Sequence, residues 1–242
     1  MTNFQIISSA LDHINLNIDN QMLSSFSKFS DMLLEYNKNI NLTAIEQPTD
    51  IAVKHFIDSL ALLSYTKLKG PVVDIGTGAG FPGIPLAITL PNINFTLIDS
   101  IQKRTVFLNE VKQNLSLNNV TIINNRSEVV AHCNSCNNNN LKENFVTAVA
   151  RGVAPLYKLV ELCLPFVSVG GTFIAYKGSN SKEEIIQAQK AISTLGGKVS
   201  NTVFYTLPST NIKRSLIFVS KISQSPSCYP RKPNKIKNNP IL

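Results

Sequence analysis

The sequence predicts an α/β fold: a helical N-terminal cap leading into a three-layer sandwich around a mostly parallel, seven-stranded sheet. Two observations carry that expectation. From Gly70 onward, short apolar strands alternate with helical segments, and strands joined through helices pair in parallel with right-handed crossovers. Near the C-terminus, two strand-like runs follow each other across a short loop, so the last strand pairs antiparallel.

The first 65 residues read as helical. Asp19 or Asn20 caps a segment in which Leu23, Phe26, Phe29, Leu33 and Leu34 recur at helical spacing. A polar turn is expected over 36–43. Pro48-Thr49-Asp50 opens a second helix, with Val53, Phe56, Ile57, Leu60 and Leu63 on one face. Strands are then expected at 71–75, 94–98, 120–123, 145–150, 172–176, 198–207 and 215–222. Helices are expected at 84–90, 102–115, 156–166 and 182–195, the third broken near Pro165. An asparagine-rich segment at 132–144 interrupts this order and reads as a low-complexity loop. The expected organisation is a helical cap over 1–69, a sheet domain over 70–223 and a basic tail over 224–242.

Composition narrows the function classes. The chain has 242 residues, 43% of them hydrophobic, with a mean hydropathy of +0.06, a balance that excludes a disordered chain. No apolar run approaches the roughly 18–20 residues that span a bilayer, and no basic stretch precedes an apolar block at the N-terminus. Neither a membrane anchor nor a secretory leader is expected. Four cysteines are too few for a disulfide scaffold at this length, so a reducing compartment, the cytoplasm, is expected. The formal net charge of +8 is one-sided: after Glu184 come nine Lys/Arg and no acid. Such asymmetry points to a polyanion, because neutralising phosphates releases counterions.

The most informative segment is Val72-Val73-Asp74-Ile75-Gly76-Thr77-Gly78-Ala79-Gly80-Phe81-Pro82-Gly83. A buried strand runs into glycines that permit a tight turn and close approach of a ligand to backbone N–H groups. The next strand ends at Asp99, placed to accept hydrogen bonds from a ribose diol. Strand, glycine turn, helix, strand and acid in that order imply a nucleoside cofactor. A dinucleotide fingerprint requires a small residue where Phe81 stands, and the terminal strand pair leaves no second mononucleotide half. Asp74, directly before the turn, repels a pyrophosphate and attracts an ammonium. These features favour S-adenosylmethionine, with Gly76, Gly78 and Gly80 in the turn that it approaches and Asp99 at its ribose.

Several further segments, in order, give the chain a family resemblance. They are Asn41-Leu42-Thr43-Ala44-Ile45, His55-Phe56-Ile57-Asp58-Ser59-Leu60, the glycine segment through Leu86, Asp99-Ser100 with Lys103-Arg104 and Phe107-Leu108, Ala150-Arg151-Gly152, and Tyr176-Lys177-Gly178. With them the chain resembles the bacterial 16S rRNA guanine-N7 methyltransferases, also called the glucose-inhibited division protein B family, over most of its length. The resemblance implies a class I S-adenosylmethionine-dependent methyltransferase fold and methyl transfer to N7 of one guanine in 16S rRNA, the small ribosomal subunit being the partner. It further implies a cofactor lying against Gly76 and Phe81, with Ser127 and Glu128 at its adenine end and Arg151 as another contact. Two departures stand out: the tail around Pro230-Arg231-Lys232 lacks the family's glycine, and the asparagine-rich insert before Phe145 is atypical.

The chemistry implied agrees with the residues. Guanine N7 is an exposed lone pair that needs no proton removed, so orientation and electrostatics suffice, and no catalytic residue is named. Lys103, Arg104, Arg231, Lys232, Lys235 and Lys237 are the expected RNA contacts, and Lys177 ends the fifth strand in the place that Arg151 holds on the fourth. His55 is read equally as an RNA contact or as a partner of Asp58 at i,i+3 spacing. His132, Cys133 and Cys136 lack the further ligand pair that a structural zinc needs, so no metal is expected. Cys163 reads as core packing. No oligomeric state is encoded, a monomer being favoured. The alternatives are a non-enzymatic rRNA-binding or ribosome assembly factor that retains the cofactor pocket, and an NAD-dependent oxidoreductase.

Overall fold

The computed structural model describes residues 3–12, 16–132 and 141–242. The cap opens with α1 (Asn3–Leu11) and α2 (Asn20–Ile40). Asp19 caps α2, its extended backbone letting the carboxylate accept the Met22 N–H at 2.8 Å. The helix runs into the turn expected at 36–43, because Leu33, Tyr36 and Ile40 continue the stripe that packs on the core. It stops at Asn41, whose φ of 44° suits a left-handed cap. The second helical run is α3 (Pro48–Ile51), a π-helical segment (Ala52–Ile57), α4 (Asp58–Leu60) and a 3-10 turn (Ala61–Ser64) in unbroken succession.

The sheet comprises β1 (Val72–Ile75), β2 (Phe95–Asp99), β3 (Val120–Asn124), β4 (Phe145–Arg151), β5 (Val167–Lys177), β6 (Gly197–Thr206) and β7 (Lys213–Lys221). Between them run α5 (Gly83–Thr89), α6 (Gln102–Asn114), α7 (Ser127–Val130), α8 (Leu156–Cys163) and α9 (Ser181–Thr194). The spatial order is β3-β2-β1-β4-β5-β7-β6. β1 to β5 pair in parallel, and β7 runs antiparallel to both its neighbours. β1 is buried along its whole length, as a central parallel strand must be when helices cover both faces. The direction of winding reverses between β1 and β4, and the crevice at such a switch point is where open α/β sheets bind ligands.

Phenylalanines join the cap to one face of the sheet. Phe26, Phe29 and Phe56 are wholly buried and share a core cluster with Phe81, Ile84 and Phe107. The Phe29 ring lies 5.3 Å from that of Phe81 and 6.3 Å from that of Phe107. On the opposite face α8 and α9 build a second cluster that includes Cys163, in the core as its sequence context predicts.

The basic tail is packed down. After β7, the Lys142 ammonium donates to the carbonyls of Pro226, Ser227 and Tyr229. His132 Nε2 lies 2.7 Å from the Pro230 carbonyl, and a last helix, α10 (Pro233–Asn238), buries Ile236. Cys133 and Cys136 lie outside the described residues. Among the described residues no group of three His, Cys, Asp or Glu is arranged to hold a metal ion, and no helix is long and apolar enough to cross a membrane.

Candidate active site

A cavity of about 500 Å³ opens where β1, β2 and β4 end. Gly76, Gly78, Phe81, Asp99, Ser127, Glu128 and Arg151 all line it, so the structure brings together seven of the eight residues predicted to hold the cofactor. Gly76 and Gly78 have φ of +69° and +61°, the left-handed backbone that glycine adopts without strain. A Cβ at Gly78 would meet nothing within 4 Å, so the turn presents bare backbone to the cavity. Gly80 is the one predicted residue that does not line the cavity. Its added Cβ would lie 2.6 Å from Ile84 and 2.9 Å from Leu108, so it is a glycine of helix packing, outside the cavity lining.

Asp99 ends β2 with its carboxylate turned to the glycine loop. Oδ2 accepts the Gly78 N–H at 2.9 Å and Oδ1 accepts the Ile101 N–H at 2.9 Å. Arg104, predicted to face RNA, lines this cavity and reaches Asp99 Oδ2 at 3.5 Å. A carboxylate offers about four acceptor positions, so Asp99 retains capacity for a ribose hydroxyl while bracing the loop. Lys103 beside it is exposed.

Asp74 corrects the reading that gave it an ammonium. It is wholly buried beneath the turn, where Oδ2 accepts from Thr77 Oγ1 at 2.7 Å and from the Gly83 N–H at 2.8 Å. Oδ1 has no partner among the described residues. Burial raises the pKa of this carboxyl to about 7, against the opposing pull of the Thr77 and Gly83 hydrogen bonds. Asp74 therefore ties the two ends of the turn together from below.

The wall between cap and sheet is a charged relay. Arg151, at the end of β4, donates from Nη2 to His55 Nδ1 at 3.0 Å and from Nη1 to Asp58 Oδ2 at 3.1 Å. A guanidinium has only protons to offer, so His55 Nδ1 is bare and its proton sits on Nε2, which donates to Thr43 Oγ1 at 2.8 Å. Burial, then the Arg151 charge, lowers the His55 pKa to about 3, which keeps the ring neutral. The partners of His55 are thus Arg151 and Thr43, in place of the Asp58 contact weighed from spacing. Asp58 instead accepts from Tyr205 at 2.8 Å and pairs with Arg214 Nε at 3.5 Å.

Sequence reasoning missed this hub. Asp58, Arg151, Tyr205 and Arg214 come from the cap, β4, β6 and β7, and no local spacing links them. Arg126 on the cavity rim was also missed. In the tail Arg231 is paired internally: its Nε and Nη2 each lie 2.8 Å from an oxygen of the nearly inaccessible Glu161. That side chain answers an internal carboxylate, while Lys232, Lys235 and Lys237 remain exposed.

The sequence is 44% identical over 243 residues to the ribosomal RNA small subunit methyltransferase G of Alkaliphilus metalliredigens, covering 100% of each chain. It is 42% identical to that of Alkaliphilus oremlandii, covering 98% of each. The fold matches that of M. jannaschii TYW2 solved in complex with AdoMet, with a TM-score of 0.52 at 17% identity, over 68% of this chain and 75% of that one. The profile of the GidB family, described as rRNA small subunit methyltransferase G, matches residues 22–216. By this match over most of its length and by these identities, the chain belongs to the rRNA small subunit methyltransferase G family.

Proposed function

We propose that this S-adenosylmethionine-dependent methyltransferase modifies N7 of a guanine in 16S rRNA, and that Gly76, Gly78, Phe81, Asp99, Ser127, Glu128 and Arg151 hold its cofactor. The observation that carries the site assignment is the pairing of a bare Gly78 with Asp99 on one cavity wall. The lining fits the cofactor: a carboxylate for a ribose diol, and a glycine turn with open space beside it that lets a ligand approach the backbone closely.

When bound, the cofactor supplies an electrophilic methyl group on a positively charged sulfur. Asp99 orients the ribose, and the glycine turn lets backbone approach closely. On the wall shared by cap and sheet, His55 is neutral, Phe81 is apolar, and Asp58 answers the charge of Arg151. Guanine N7 needs no base to activate it, which leaves alignment as the main contribution of the protein.

Lys103, Lys232, Lys235 and Lys237 are the exposed cations we assign to rRNA phosphates, with Arg104 at the junction of the two sites and Arg231 in the tail's anchor. We favour action as a monomer, and methyl transfer to guanine N7, which needs no activated nucleophile, calls for no metal. An rRNA substrate supports a cytoplasmic location. Incubation of 16S rRNA with methyl-labelled S-adenosylmethionine and the protein, followed by mapping of the labelled base, tests the proposal. Label on one guanine N7 supports it, and label elsewhere or none overturns it.

A further inference from the structure

A second cavity, of about 340 Å³, adjoins the cofactor cavity and shares His55, Arg151 and Gly152 with it. We propose that this second cavity receives the acceptor guanosine, turned out of the RNA stack, and that Arg214 and Lys54 hold its phosphate. The proposal rests on the rRNA methyltransferase reading and names the place where the acceptor nucleotide sits.

Three observations support it. The first is position. A methyl donor and its acceptor have to meet across a common boundary, and His55, Arg151 and Gly152 form the boundary common to these two cavities. The volume falls at the small end of the range for ligand sites, about 300–1,000 Å³. It suits one extruded nucleotide, the form in which enzymes reach a base for chemistry.

The second is charge. Lys54, Arg151, Lys177 and Arg214 line the cavity against a single lining acid, Asp58. Lys177 is fastened to Glu184 at 2.7 Å and to the Ala154 carbonyl, and Arg151 is fixed by His55 and Asp58. Arg214 is held differently: Nε leans on Asp58 at 3.5 Å, while its two terminal nitrogens have no partner among the described residues. A guanidinium fork aimed by one carboxylate, with its terminal donors unused, matches the bidentate geometry of a phosphate. Lys54 stands nearby as a point charge, partnered only at the surface by Asp50 at 2.9 Å.

The third is a glycine that the backbone does not require. Gly178, in the lining, has a φ outside the left-handed region, and a Cβ there would meet nothing within 4 Å. A side chain is sterically admissible to the protein itself. The space it would take belongs to the cavity.

Gly178→Leu is therefore the direct test, made on the full chain with 16S rRNA and labelled S-adenosylmethionine. The variant is expected to bind S-adenosylmethionine with unchanged Kd while kcat/KM for rRNA falls about 100-fold, the scale of a displaced reactant. Arg214→Gln is expected to raise KM for rRNA about tenfold with kcat little changed, Arg214→Lys recovering part of the loss. Should Arg214→Gln fail to fold, Lys54→Gln, which is not tied to buried Asp58, gives the same reading. Wild-type labelling with full activity in Gly178→Leu overturns the subsite alone. Parallel loss of cofactor binding in Gly178→Leu also overturns it. Absence of labelling by the wild type overturns the subsite together with the reading it rests on.

Discussion

The imidazole of His55 lies flat against the ring of Phe81, with centroids 4.2 Å apart and planes inclined by 8°. One ring belongs to the π-helical segment of the cap and the other to the glycine turn. The cap thus forms a wall of the site, and Arg151, with its guanidinium carbon 5.1 Å from the Phe81 centroid, locks both rings against β4. π-Helical turns in otherwise regular helices are frequent at functional sites, and here the turn carries the residue that separates the two cavities.

Asp99 is expected to govern cofactor affinity. Asp99→Ala removes the ribose acceptor and the brace on Gly78. The loss should be about 1.5–3 kcal/mol, a roughly 10- to 150-fold rise in Kd for S-adenosylmethionine. Titration calorimetry measures it, with rRNA binding as the internal comparison. Equal weakening of both ligands, or of neither, contradicts the assignment.

His55 and Asp74 make opposite contributions to stability between about pH 4 and 6.5. The His55 pKa is lowered from 6.5 to about 3, so in that window unfolding takes up a proton and stability rises with pH. The Asp74 pKa is raised from 3.8 to about 7, so unfolding releases a proton and stability falls with pH. The stability difference His55→Gln minus wild type should therefore decrease with pH across the window. The difference Asp74→Asn minus wild type should increase, each with a limiting slope of about 1.4 kcal/mol per pH unit. Denaturant melts at three pH values suffice, and slopes of the same sign refute the assignment.

Two glycines of the turn, Gly78 and Gly80, should separate by function. Gly80→Ala forces a Cβ against Ile84 at a φ of +97° and should cost about 1–3 kcal/mol of stability, the folded protein still binding cofactor. Gly78→Ala projects into open cavity and should weaken cofactor binding by about tenfold, from strain and from lost approach. Thermal melts paired with calorimetry distinguish the two. Identical behaviour of the variants contradicts the division between packing and binding glycines.

Much of the architecture was legible because it is written locally. Alternating strands and helices, a glycine turn after a buried strand, and an acid at the next strand end are near-neighbour patterns, and the structure places β1, β2 and Asp99 where they predict. Local pattern also misled. Spacing alone could not tell which of Gly76, Gly78 and Gly80 lines the cavity, because Gly80 is turned against Leu108, which packs from a different helix. It assigned the charge of Asp74 to an external ammonium, because burial is a tertiary property. Asp58 meets Tyr205 across 147 residues of chain, a relationship with no local signature.

The tail shows the same limit and yields a further test. Arg231 looked like one more phosphate contact, yet it neutralises Glu161 inside the protein. Arg231→Gln strands that carboxylate and should lower stability by about 3–5 kcal/mol, leaving the salt dependence of rRNA binding in place at a temperature where the variant is folded. Replacing Lys232, Lys235 and Lys237 together by Gln should spare stability and reduce the log–log salt slope by about 2–3. A full slope in the triple variant would remove α10 from the RNA interface.

The most direct test of the central claim is the site of methyl transfer. Unmethylated 16S rRNA, presented naked and within the 30S subunit, is incubated with the protein and labelled S-adenosylmethionine, and the modified position is mapped in each. The account predicts label on N7 of a single guanine in at least one form, abolished by excess unlabelled cofactor. Cofactor binding with no label in either form, or label on a ribose or an exocyclic amine, would contradict it.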